Sequence, residues 1–143
     1  MDAAENAIEP ATTHPPIFSF YHVLFRVQFK GGIRWILKVP ARGSLEQFGP
    51  LAAAALRCEA LTMQLIRRET SVHMQDVMAF DSTVKNELSC SFILMNFIRG
   101  KALYDCRFDK SISNDELRAN RTRTLKDVAC VMVELGQFSF TTG

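Results

Sequence analysis

Between Phe18 and Pro40 the chain reads FSFYHVLFRVQFKGGIRWILKVP, two aromatic and β-branched runs around a Lys-Gly-Gly turn. Such runs form strands, and a short glycine turn between them joins strands that run antiparallel. Alternation places Val23, Phe25, Val27 and Phe29 on one face of a first strand, Phe18 to Phe29. Ile33 to Pro40 forms a second strand, which Pro40 ends. The expectation is a β-hairpin whose second strand carries one oddity, Lys38. Taken alone, a lysine near a strand end can run its stem along apolar surface and reach water with its ammonium.

The rest of the chain supplies elements for that hairpin to pack against. Residues 1–16 are small and polar, end in HPP, and read as an unstructured tail. After a polar loop, Pro50 opens a helix. The segment LAAAALRCEALTMQLIRR, Leu51 to Arg68, holds strong helix formers and no breaker. Leu51, Ala55, Cys58, Thr62 and Ile66 are expected to form its apolar stripe, and Arg67 and Arg68 suit its C-terminal dipole. DVMAFDST then reads as a strand and CSFILMNFI as a longer buried one, broken at Gly100. YDCRFDKSIS reads as irregular. A helix capped by Ser113 or Asn114 follows, with Leu117, Leu125, Val128, Met132 and Leu135 as its apolar positions. The fold class is α+β: two hairpins in one antiparallel sheet with a helix across it.

Composition limits the function classes. The 143 residues suit one domain, and 48% apolar with 22% charged residues is a globular balance. A net charge of +2 gives no argument for nucleic acid or an anionic membrane. An apolar run such as LAAAAL falls far short of the roughly 20 residues of a membrane span. Neither a secretory signal nor a transit peptide is legible at the N-terminus. Cys58, Cys90, Cys106 and Cys130 show no C-x-x-C spacing, and only His14, His22 and His73 could join them at a metal. They read as reduced core thiols of an intracellular, cytoplasmic protein.

Lys38 has a candidate partner in Glu59, midway along the helix and next to the expected stripe. Glu59 alone reads as a solvated helix residue. An inward-facing carboxylate could equally pair an inward-facing ammonium, which cannot be buried cheaply alone. The order is then hairpin with lysine, helix with glutamate, hairpin, and a glycine break. Protein-kinase-like small lobes have this order, and there the lysine contacts the α- and β-phosphates while the glutamate holds it.

On these motifs the chain resembles the amino-terminal lobe of the fungal aminoglycoside-phosphotransferase-like family, which has the protein-kinase-like fold. The motifs are FKGGIRWILKVP, EALTMQLIRRETS, VMAFD and FILMNFIRGKAL, and the resemblance runs from Phe18 to Gly143. It implies a small lobe over residues 17–98, then a hinge and the start of a second lobe over 99–143. It implies that Lys38 holds the phosphates of ATP and Glu59 holds Lys38. Met95, Asn96, Phe97 and Ile98 would be the adenine hinge, through the Asn96 carbonyl and the Ile98 amide, and Val23 would pack on the adenine ring. Ser19, Phe20, Tyr21 and His22 stand where the family has a glycine-containing phosphate loop, and they contain no glycine. Side chains there crowd the phosphates, so weak nucleotide binding is expected. ATP with Mg²⁺ is the implied cofactor and a hydroxyl on a small molecule the implied acceptor. The family's H-G-D-x-x-x-x-N motif does not occur in these residues. Two readings follow: the ATP-side lobe of a truncated phosphotransferase, or a non-catalytic, pseudokinase-like module or truncated gene product. Either would expose an apolar lobe interface that favours association.

Overall fold

The computed structural model describes residues 10–41, 48–109 and 111–139. Among these residues there are six strands, β1 (Pro10–Thr13), β2 (Ile17–Phe18), β3 (His22–Phe29), β4 (Arg34–Pro40), β5 (Val77–Asp81) and β6 (Phe92–Asn96). Its helices are α1 (Pro50–Glu69), α2 (Leu103–Arg107) and α3 (Asn114–Leu135). The chain divides into two compact units, Met1–Leu65 with Met74–Phe97, and Ile66–His73 with Ile98–Gly143. The division follows Phe97, and Ile66–His73, read above as part of the small lobe, belongs to the second unit.

The first unit is an antiparallel sheet of order β1-β3-β4-β6-β5, with β2 also paired to β3. The expected hairpin is β3–β4. Gly31 and Gly32 turn it at φ 92° and 85°, a region glycine enters without the steric cost of a Cβ. The Phe29 amide donates to the Ile33 carbonyl at 2.9 Å and closes the turn. The turn fixes the register, so Leu24 faces Lys38 and Arg26 faces Ile36. β6 lies on the other side of β4, with Met95 opposite Ile36 and Ile93 opposite Lys38. β5 completes the second hairpin and places Phe80 opposite Ile93. The loop between β5 and β6 is tied by Asn86, whose side-chain amide donates to Asp81 Oδ2 and to the Cys90 carbonyl.

α1 covers one face of this sheet. Leu56 and Ala60 of α1 join Ile36, Ile93 and Met95 in the core, with Leu24, Met63 and Phe80 packed around them. Ala60 and Ile93 are almost completely buried, at 0% and 1% exposure. The buried stripe of α1 therefore runs through Leu56, Ala60 and Met63. Of the stripe expected from sequence, Leu51, Ala55, Cys58 and Thr62 are exposed and only Ile66 is partly buried. The first two turns are apolar on every side, so periodicity there leaves the inward face undetermined. The sheet shows the same ambiguity. Val23, Phe25, Val27 and Phe29 do share a face, but Leu24, on the opposite face, meets the core.

Four other expectations change. Residues 10–13, read as part of the tail, form β1, which pairs with β3 (Thr13 opposite Val27); residues 1–9 lie outside the described set. The long first strand is interrupted at Ser19–Tyr21, leaving β2 and β3 paired across a tight turn. The segment read as irregular begins with α2. None of the four cysteines is buried: Cys58, Cys106 and Cys130 are exposed and Cys90 is half-buried, so core thiols are not observed.

In the second unit α3 is capped by Ser113, whose hydroxyl accepts the Glu116 amide at 3.2 Å, and Asp115 and Glu116 suit its N-terminal dipole. Arg121 Nη2 donates to the Arg107 carbonyl of α2 at 2.8 Å. Glu134 accepts both the amide (2.7 Å) and the hydroxyl (2.5 Å) of Ser71. α3 has no buried residue, and Leu125 and Met132 are 67% and 68% exposed. Among the described residues no helix is long and apolar enough to cross a membrane.

Candidate functional site

Lys38 and Glu59 meet because two local periodicities aim them at one place. Lys38 lies two residues beyond the buried Ile36, on the core face of β4. Glu59 lies one residue before the buried Ala60 and three after Leu56, on the inward side of α1. The Lys38 ammonium donates to Glu59 Oε1 in an ion pair. The side chains are 18% and 38% exposed, so the pair stands at the rim of the core and the lysine is its more buried member.

The pair borders a cavity of about 700 Å³, open between the Ser19–His22 turn, the end of β4 and the first turns of α1. Its walls are mostly apolar, with Phe20, Phe48, Leu56 and Ile93 among them, and its ionisable groups are His22, Lys38, Glu59 and Tyr21. Partial burial pushes the His22 imidazole below its ordinary value of 6.5; the neighbouring Lys38 ammonium adds to this and Glu59 opposes it. The neutral imidazole is therefore favoured beside Lys38, and it presents one donor and one acceptor.

The turn closes without glycine through Ser19. Its amide donates to the His22 carbonyl at 2.8 Å, and its hydroxyl accepts the His22 amide at 3.2 Å. The Tyr21 carbonyl accepts the Ala41 amide at 2.8 Å. Phe20 and Tyr21 stand outward, 88% and 71% exposed, with their rings edge-to-face at 5.0 Å. Ser19 thus has its amide and hydroxyl committed to the turn, while Phe20, Tyr21 and His22 line the cavity.

The other residues singled out in the sequence sit elsewhere. Val23 pairs with Val39 and faces away from Lys38. Leu24 is the residue across from Lys38, and sequence reasoning missed it. The turn was the available signal: counting back from Phe29 and forward from Ile33 pairs Leu24 with Lys38. Met95 is a core residue, 4% exposed. The Asn96 carbonyl accepts Gln75 Nε2 at 3.0 Å, and the Asn96 side chain is paired to Asp76 through its backbone amide (2.8 Å) and carboxylate (3.0 Å). The Phe97 amide donates to the Arg34 carbonyl at 3.0 Å. None of Met95, Asn96 and Phe97 lines the Lys38 cavity, and Ile98, 44% exposed, belongs to the second unit.

Chemically, the cavity offers a lysine steered by a carboxylate, an imidazole and apolar walls, which suits an anionic group carried on a less polar body. It does not suit a tightly held divalent cation. Among the described residues its one carboxylate is engaged by Lys38, and they contain no cluster of three or more His, Cys, Asp or Glu able to hold a metal. No family model matches the chain, and no curated protein or solved structure is significantly similar to it.

Proposed function

We propose that the first unit is the ATP-side lobe of a small-molecule phosphotransferase of the aminoglycoside-phosphotransferase-like kind, with a protein-kinase-like fold. The Lys38–Glu59 ion pair, made between a central strand and the helix crossing the sheet and facing an open cavity, carries this reading. In that role Lys38 holds phosphate oxygens and Glu59 keeps the ammonium aimed at them. Bound ATP would supply the transferable γ-phosphoryl group. The residues at this cavity do not fit a Mg²⁺ site of their own, and no H-x-D sequence occurs in the chain. These residues therefore bind and orient phosphate, and the acceptor hydroxyl takes its base from outside them.

Binding is weak in this proposal, because the turn carries Phe20 and Tyr21 where a glycine loop would bring backbone amides to the phosphates. The Asn96 carbonyl is also engaged by Gln75. We expect Mg·ATP to leave the melting temperature almost unchanged, with a dissociation constant of about 1 mM or weaker. Amide NMR is the sensitive test. Titrated Mg·ATP should shift the resonances of His22, Lys38, Glu59 and Ile93 in a saturable way, and Lys38→Ala should abolish the response. Absence of saturable shifts at these four residues would sink the nucleotide reading.

A non-catalytic interaction module is the second reading. The exposed Phe20 and Tyr21 tip and the exposed Leu125 and Met132 of α3 favour it. Light scattering on the purified chain tests it: a defined oligomer or complex supports association, and a monomer at all concentrations counts against it.

A further inference from the structure

A second cavity lies on the same sheet, further along β4 from Lys38. Arg34 stands opposite Gln28, and Arg26 opposite Ile36. By alternation Arg26, Gln28 and Arg34 share one face. With His14, Trp35 and Phe97 they line a cavity of about 160 Å³.

Among the described residues its charge is uncompensated. The Nε of Arg26 is buried and has no hydrogen-bond acceptor among the described residues. The Arg34 guanidinium lies 5.4 Å from the centre of the Phe97 ring. No described carboxylate lines the cavity, and neither arginine belongs to an ion pair of the described residues. Both arginines are half-buried, where water screens charge less than at an open surface. A buried guanidinium donor without an acceptor is a costly arrangement unless an anion completes it. The planar fork of an arginine matches the paired oxygens of a phosphate or carboxylate. Gln28 can add an uncharged donor, and Phe97 forms an apolar wall.

We propose that Arg26 and Arg34, with His14 and Gln28, form a binding site for a small oxyanion, a phosphate or carboxylate group, separate from the Lys38 cavity. The site stands on its own geometry and does not need Lys38 to bind nucleotide.

Trp35 is the chain's one tryptophan and is the neighbour of Arg34 on β4, with its ring against Phe29 on the other face of the sheet, so its fluorescence is a nearby reporter of the cavity. The full chain is titrated with inorganic phosphate and separately with acetate, with chloride holding the ionic strength constant. The expected result is a saturable change that chloride does not reproduce. Response to phosphate alone assigns a phosphate group, response to acetate alone a carboxylate, and response to both the shared oxyanion chemistry. Arg26→Gln and Arg34→Gln should each weaken the apparent affinity by about tenfold or more, and Lys38→Ala should leave it unchanged. Circular dichroism establishes that each variant is folded. The Arg26 Nε–H resonance of the unaltered chain gives a variant-free reading and should shift with the same saturation. The proposal is overturned by a chloride-equivalent response, by no saturable response, or by a response that Lys38→Ala abolishes.

Discussion

The two compact units are held by different means. In the first, side chains from β4, β6 and α1 close a small core of Ile36, Leu56, Ala60, Ile93 and Met95. In the second, α3 contributes no buried side chain, and polar contacts such as Ser71 to Glu134 and Arg121 to the Arg107 carbonyl join the pieces. Apolar burial is cooperative and tolerates salt and pH, whereas exposed hydrogen bonds add little net free energy and respond to protonation. The sheet should therefore behave as the stable region and the α3 region as the easily opened one.

The largest test of that contrast is truncation of an apolar side chain in each unit. Ile93→Ala should cost about 2–5 kcal/mol, since it removes a buried side chain that neighbours cannot replace. Met132→Ala on α3 should stay within about 0.5 kcal/mol. Urea melts of the two variants measure this, and equal losses would break the comparison. Hydrogen exchange should also show slower opening in β4 and β6 than in α3.

The Lys38–Glu59 pair comes next, because it sits between a buried and a surface interaction. Glu59→Ala leaves the more buried lysine without its carboxylate and should cost about 1–3 kcal/mol. Lys38→Ala leaves the more exposed glutamate, which water can solvate, and should cost about 1 kcal/mol or less. A double-mutant cycle with the two single variants and their combination measures the coupling. The reverse order of the single losses would mean that the lysine reaches water more freely than its 18% exposure indicates.

The hairpin turn offers a smaller effect. Around Gly31 there is open space, so Gly31→Ala meets no clash, and its cost comes only from holding alanine at φ 92°. About 1–2 kcal/mol is expected from thermal melts, with the register of β3 and β4 unchanged by NMR.

The smallest effect concerns pH in the second unit. The Ser71 hydroxyl and then its amide hold the Glu134 carboxyl below its ordinary value of 4.5. The folded state therefore prefers the charged form. Its contribution is present above pH 4.5 and is lost as pH falls through the lower folded value. Ser71→Ala should make α3 exchange less sensitive to acid over that range; an unchanged acid response would show that Glu134 is not the sensor.

Much of the architecture was legible locally. Both hairpins, α1 and α3 with its Ser113 cap follow from turn glycines, strand alternation and capping chemistry. β1 was hidden because PATT is a poor strand sequence on its own, and pairing with β3 makes it one. The break between β2 and β3 was hidden inside an unbroken aromatic run, because Ser19 makes the turn bonds with its side chain. At the site, Lys38 and Glu59 could be named as candidates from their apolar surroundings. Val23 was named from the family resemblance, and alternation did not single out Leu24 because it shows that two faces exist and does not say which one a helix will cover.

The sequence by itself determined the β3–β4 hairpin and its register, α1, β5, β6 and α3, and the presence of an ionisable group on β4 and another on α1. These depend on neighbours a few residues apart. The tertiary structure alone decided which side of α1 turns inward, since LAAAAL is apolar all round, and that the sheet meets it with Leu24, Ile36 and Ile93. The Lys38–Glu59 pair, 21 residues apart in the chain, is a consequence of that docking. Arg26 and Arg34, by contrast, are brought to one face by the β3–β4 register, and the tertiary structure adds His14 and Phe97 to their cavity.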